Sequence, residues 1–296
     1  MNRAASIIII LSILCLIPIP GSPLAKELPQ AMVYIPEGEF IMGGDDDPGN
    51  GIFAADETPK RKVELKPFYI DRYEVTNKQY KEFLDAVKRQ GVKGFEHYMD
   101  EGIPIPDKWD VDVLSGGGMN RTFFPGEEND PVVDVDWYMA NAYCKFYAKG
   151  LPTEEQWEKA AKGTDGRMYP WGNEYKPGWS NNREYWEKKG AAMDEWKVLP
   201  VGSFPKDASV YGVYDMAGNA LEWTANLYRP YPGSALKRDI FNAEVYVLRG
   251  GAHNLLLYEF GRVTSRHFRQ PTDNREAHAE WHTDMNIGFR CAKDAE

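Results

Sequence analysis

The texture of the chain changes at residue 163, and that change most constrains its fold. Before it, three stretches carry helical punctuation. After it, glycine, proline, asparagine and aromatic residues dominate, and no helical period is sustained. Such a sequence is expected to fold as short strands joined by long ordered loops. Long ordered loops usually carry function, or need a staple or bound ions to hold them. The rest of the composition is that of an ordinary globular protein, with 43% hydrophobic, 27% charged and 13% aromatic residues. That excludes a disordered or fibrous chain. The net charge of −10 argues against a nucleic-acid partner, which requires a basic face.

The helical punctuation is local and specific. Thr76-Asn77-Lys78-Gln79 reads as a capping box, followed by Tyr80, Phe83, Leu84 and Val87 on one face. Asp136 is placed to cap a second helix, with Trp137, Ala140, Cys144 and Tyr147 near one side. Thr153-Glu154-Glu155-Gln156 is another capping box behind Pro152, with Trp157, Ala160 and Ala161 as the buried side. Near the start, residues 32–36 read as a strand and 38–43 as its continuation or partner. Residues 44–58 read as an acidic loop. Its Asp45-Asp46-Asp47 run lacks the spacing of a calcium hand and is expected to be solvated. Segment 89–130, with Gly116-Gly117-Gly118, reads as a surface insertion. No internal repeat is present. The expected architecture is α+β: one loop-rich domain spanning 27–294.

Residues 1–25 are a separate object. A weakly positive start precedes an apolar run from Ala4 to Ile17, which Pro18 and Pro20 end before the small residues Gly21, Ser22 and Ala25. This has the form of a secretory signal peptide and is short for a membrane span, although an uncleaved anchor is the alternative. Leu14 before Cys15 disfavours lipidation. The mature chain is expected to be exported, periplasmic or secreted, with no membrane span. Signal removal leaves two of the three cysteines, Cys144 and Cys291, in an oxidising compartment. A disulfide between them is the natural inference, and two buried free thiols are the alternative.

The motifs also fall in a recognisable order. They begin with Met32-Val33-Tyr34-Ile35-Pro36, Phe40-Ile41-Met42-Gly43, Asp56-Glu57-Thr58-Pro59 and Pro67-Phe68-Tyr69-Ile70-Asp71. Glu74 to Tyr80, Pro131-Val132-Val133, Leu151-Pro152-Thr153-Glu154 and Tyr169-Pro170-Trp171-Gly172-Asn173 follow. The series ends with Tyr211 to Asn219, Glu222-Trp223, Leu248-Arg249-Gly250-Gly251 and Gly288-Phe289-Arg290-Cys291. Together they resemble the formylglycine-generating enzyme family, the sulfatase-modifying-factor domain, over essentially the whole mature chain. The resemblance implies an irregular relative of the C-type lectin fold. It also implies a disulfide at the positions of Cys144 and Cys291, in agreement with the count.

The resemblance further implies two structural Ca²⁺ ions. One position matches Asp215, Gly218, Ala220 and Glu222, where carboxylates and carbonyls offer hard oxygen ligands. The other is best matched by Asn181, Asn182, Asp194 and Trp196, with the register between the two asparagines open. The alternative for the first set is local hydrogen bonding to the backbone. The family's oxidases carry two cysteines about five residues apart after the Arg-Gly-Gly motif, and these bind copper(I), a thiolate-seeking ion. Residues 249–262 here hold no cysteine. Copper-thiolate formylglycine chemistry is therefore excluded. Gly150 stands where the family usually has arginine, which leaves a local ion pair in question.

Two clusters remain. His278 and His282 share a face across Glu280 on a helix or a strand. They are candidate ligands for iron, zinc or copper(II), against the alternative of solvated loop histidines. Arg262, Arg266, His267 and Arg269 form a basic group that either receives an anion or pairs with local acids. The functional expectation is an exported, calcium-stabilised binding or maturation-accessory module using the surface near residues 249–287. Its ligand would be a protein, a peptide or a small molecule. The alternative is an extracytoplasmic metal-dependent oxidoreductase that tailors a peptide or peptide-derived metabolite.

Overall fold

The computed structural model describes residues 32–44, 52–90, 125–271 and 286–295. The chain is α+β, with short strands and few helices among the described residues, as the sequence texture requires. Strand β1 (Met32–Ile35) pairs antiparallel with β4 (Phe68–Asp71), and β4 pairs in turn with β9 (Ala292–Asp294). The last strand thus closes onto the first. Strand β2 (Gly38–Met42) is neither a continuation nor a partner of β1. It pairs with β3 (Arg61–Leu65) in a ribbon of its own. The positive φ of Gly38 redirects the chain between the two sheets. A third sheet orders β7 (His267–Arg269), β6 (Tyr246–Arg249), β5 (Leu221–Leu227) and β8 (Ile287–Gly288).

The three expected helices form. In α1 (Asn77–Gln90) both halves of the capping box are made: Gln79 N–H donates to Thr76 Oγ1 at 3.3 Å, and Thr76 N–H donates to Gln79 Oε1 at 2.9 Å. Asp136 caps α2 (Trp137–Phe146) through Met139 N–H at 2.7 Å. Thr153 and Gln156 complete the box of α3 (Glu154–Lys162). A further helix, α4 (Arg183–Lys189), lies where only strands and loops are expected. It buries Trp186 alone, so it carries no periodic signal; its marks are the Asn182 cap and the left-handed Gly190. A single turn, α5 (Leu257–Phe260), follows later. Residues 52–57, read as part of an acidic loop, form a 3₁₀ turn that buries Asp56 and Glu57. The Asp45–Asp47 run lies outside the described residues, as does most of the glycine-rich insertion.

Among the described residues, the two largest apolar clusters lie around the helices. One joins Tyr80, Phe83 and Val87 of α1 to Tyr143, Cys144, Trp223, Leu248 and Phe289. The other packs Trp157, Ala160 and Ala161 of α3 against Val33, Ile35, Phe68 and Ile70. Cys144 and Cys291 form a disulfide in the first cluster, with both residues fully buried and their Cα atoms 5.6 Å apart. Beside Gly150, Lys149 Nζ pairs with buried Asp71 Oδ1 at 2.5 Å. No helix among the described residues is long and apolar enough to cross a membrane.

Candidate functional site

The stretch after Arg249-Gly250-Gly251 is built against the core. A side chain at Gly251 would lie 2.4 Å from the Ala217 carbonyl, so glycine is required for the two backbones to meet there. Ala252, Leu255 and Leu257 then point inward and are buried. His253 is also buried. Its backbone N–H donates to the Asn219 carbonyl at 3.1 Å, and its ring shares a hydrogen bond with the Asn286 amide at 3.1 Å. Where the copper pair would stand, the chain therefore presents aliphatic side chains and an imidazole already engaged. The cysteines of the described residues are tied in the disulfide.

His267 is different. Its ring packs on Phe260 with centroids 5.2 Å apart, and it is only partly covered, yet its Nε2 is buried with no hydrogen-bond partner among the described residues. Burial, aided by the charges of Arg269, Arg249 and Arg262, pushes its pKa down to about 3. The imidazole is therefore neutral at any physiological pH.

The basic group around it is structural. Arg262 pairs with buried Glu57, and Arg266 reaches Glu154 through Nε at 2.6 Å and Nη2 at 3.0 Å. Arg262 and Arg266 of this cluster are thus engaged in internal ion pairs with acids distant in sequence. Arg249 completes the lattice, donating to Glu158 at 2.5 Å and to the carbonyls of Val263 and Ser265 at 2.9 and 3.1 Å.

Asp215 and Glu222 belong to a buried carboxyl group that the sequence reading captured only in part. Glu74 and Asp207 join them, and Arg290 faces the cluster. Arg290 forks onto Glu222, with Nη2 to Oε1 at 2.6 Å and Nε to Oε2 at 2.7 Å, and the Trp157 indole donates to Oε2 at 3.0 Å. Glu74 and Asp215 are in hydrogen-bond contact with each other. Burial first, and then the neighbouring carboxylates, drives Glu74 well above the usual range, and Asp207 rises for the same reasons. Asp215 is raised to about 6, chiefly by burial. Four carboxyls share one guanidinium, and burial favours the protonated form of those it does not pair. Gly218 lies in close contact with Asn181, whose carbonyl would be 2.4 Å from an added Cβ, and Ala220 N–H donates to Glu74 Oε1 at 3.2 Å.

The second set fits less well. The Asn181 side-chain oxygen accepts from the Trp186 indole at 2.8 Å, the Asn182 oxygen caps α4 through Tyr185 N–H at 2.9 Å, and Asp194 is exposed. Trp196 turns its indole onto the Ala191 carbonyl at 3.2 Å. His278 and His282 lie outside the described residues. Among the described residues, no three His, Cys, Asp or Glu side chains are grouped to hold a metal.

The family model of the sulfatase-modifying factor enzyme 1-like domain matches residues 21–295, and the chain belongs to that family. It is 32% identical over 319 residues to the inactive Cα-formylglycine-generating enzyme 2 of Mus musculus, covering 96% of this chain and 92% of that protein. It is 34% identical over 306 residues to the formylglycine-generating enzyme of Thermomonospora curvata, covering 91% and 95%. Among solved structures, PvdO from Pseudomonas aeruginosa superposes with a TM-score of 0.59 at 27% identity, covering 89% of this chain and 94% of that one.

Proposed function

We propose that this chain is an exported, calcium-stabilised member of the family that serves as a binding or maturation-accessory module, without copper-thiolate oxidation. The carrying observation is the composition of the stretch after Arg249. Ala252, Leu255 and Leu257 are packed inward there, and no thiolate is available to hold copper(I). The buried disulfide supports export, because such bridges persist in oxidising compartments. The surface near residues 249–287 would receive a protein, peptide or small-molecule ligand. Incubated with copper, O₂ and a peptide carrying a sulfatase-type cysteine, the protein should release no formylglycine. Copper-dependent product from the wild-type chain would overturn this reading.

Calcium would be held by Asp215 and Glu222 with the carbonyls of Gly218 and Ala220, the set the resemblance implies. Chelator should lower the melting midpoint and added Ca²⁺ should restore it. At 100-fold excess over its Kd, one ion contributes about 2.7 kcal/mol. Asp215→Asn should remove most of that response, and a melting curve indifferent to chelator would defeat the calcium assignment.

One observation favours the alternative reading, a metal-dependent tailoring oxidoreductase. His267 is a neutral imidazole with an uncommitted Nε2, the form that ligates transition metals. Elemental analysis of purified protein separates the two readings. Calcium alone fits a binding module, whereas stoichiometric iron or copper lost on His267→Ala, His278→Ala or His282→Ala fits the oxidoreductase.

A further inference from the structure

The second calcium position implied by the resemblance is occupied by protein hydrogen bonds, and the decisive group is the Asn181 amide. Oxygen and nitrogen of an amide are told apart only by their partners. Here the partners are one-way. The Trp186 indole can only donate, and it lies 2.8 Å from Asn181 Oδ1. The Lys197 carbonyl can only accept, and it lies 3.0 Å from Asn181 Nδ2. Two independent partners therefore fix the same orientation, with the amide oxygen turned to the indole and its NH₂ turned to the loop. Reversing the amide would set N–H against N–H at Trp186 and oxygen against oxygen at Lys197.

The same clamp continues through Asn219. Its Oδ1 accepts from Asn181 Nδ2 and from Leu199 N–H, each at 2.9 Å, and its Nδ2 donates to the Leu199 carbonyl at 3.2 Å. Asn182 offers no substitute, because its oxygen caps α4 and its Nδ2 donates to Ser180 Oγ at 2.9 Å. Both registers left open by the sequence thus end on a committed asparagine. Beside Asp194 the wall carries Lys189 and Lys197, which balance Asp194 and Glu195. An open cavity of about 670 Å³ is lined by Trp186, Asp194, Glu195, Lys189 and Lys197, and Lys189 Nζ already sits 5.4 Å from the Trp186 ring centroid.

We infer that in this chain a Trp186–Asn181–Asn219 hydrogen-bond clamp takes the place of the second ion and fastens loop 190–199 without metal. The inference is independent of the first calcium position and of the functional reading. It is tested on the full chain by equilibrium dialysis against calcium after chelator treatment, comparing wild type with Asp194→Asn. Asp194 is exposed, so the variant should fold. The two proteins should bind the same number of ions, and loss of one ion equivalent in Asp194→Asn would overturn the inference. A wild type that binds none would sustain it while defeating the first position. Trp186→Phe keeps an aromatic ring and removes the donor. In metal-free buffer it should speed tryptic cleavage after Lys197 by about threefold to tenfold, the worth of one buried hydrogen bond. An unchanged cleavage rate would overturn the clamp.

Discussion

Replacing Cys144 and Cys291 together by alanine should lower the stability of the protein by about 2–5 kcal/mol. The bridge closes a loop of 147 residues, half the chain. For a loop of that size the chain-entropy model gives roughly 5 kcal/mol, an upper value because an unfolded chain retains some structure. The effect should be large here because much of the chain is loop, with little regular structure to hold its ends together. The bridge also lies inside an aromatic cluster, where the Tyr143 ring centroid is 5.7 Å from that of Tyr80 and 5.3 Å from that of Phe289. Packing and bridging are separable. Cys144→Ala alone leaves a buried thiol at Cys291 and removes the same sulfur contacts on one side. If the bridge carries the effect, the single and double variants should melt within a few degrees of each other, both well below wild type. A double variant within 1 kcal/mol of wild type by denaturant titration, on the order of an ordinary surface change, would show that packing alone holds the ends.

What could be read from the sequence was local. The capping boxes at Thr76 and Thr153 need only four residues each, and the Asp136 cap needs three, so both type and position were legible. The disulfide was legible because only two cysteines lie beyond residue 25, which leaves one pair to form. Strand partners were not legible. Residues 32–35 and 38–42 are nearly contiguous, yet they join different sheets, since pairing is decided by β4 and β3 further along. Helix α4 escaped because seven residues with one buried side chain show no period. At the candidate site, Asp215 and Glu222 were marked as ligands, whereas Glu74 and Arg290 stood in the motifs without a role and Asp207 stood in none. Arg290 pairs with Glu222 68 residues away and Glu74 accepts from Ala220 N–H 146 residues away, and contacts across such distances leave no local trace. Asn181 was marked as an ion ligand. The residue that redirects its amide, Trp186, stands five positions away on the unrecognised helix.

Arg249→Met should cost about 3–5 kcal/mol at pH 7, because it strips buried carboxylates of a cation and leaves them in the interior. For a chain of this size that lowers the melting midpoint by roughly 10 °C. Arg249, Glu154 and Glu158 are all buried, so solvent cannot replace the lost partner. Burial pushes Glu154 upward, but Arg266 and Arg249 outweigh it and hold the group below the usual carboxylate range. Glu158 is held down likewise by Lys162 and Arg249 against its burial. Carboxyls depressed on folding contribute stability above their unfolded pKa, about 4.3, and lose it as pH falls through the lower folded value. In the variant the balance reverses at Glu158, where one lysine remains against complete burial. Its folded pKa should rise above the unfolded one, so acid should favour the folded variant. The gap between wild type and Arg249→Met should therefore be widest near pH 7 and close progressively below about pH 5. A gap that stays constant from pH 7 down to pH 4 would mean that Arg249 acts by filling space beside Trp157 rather than by its charge.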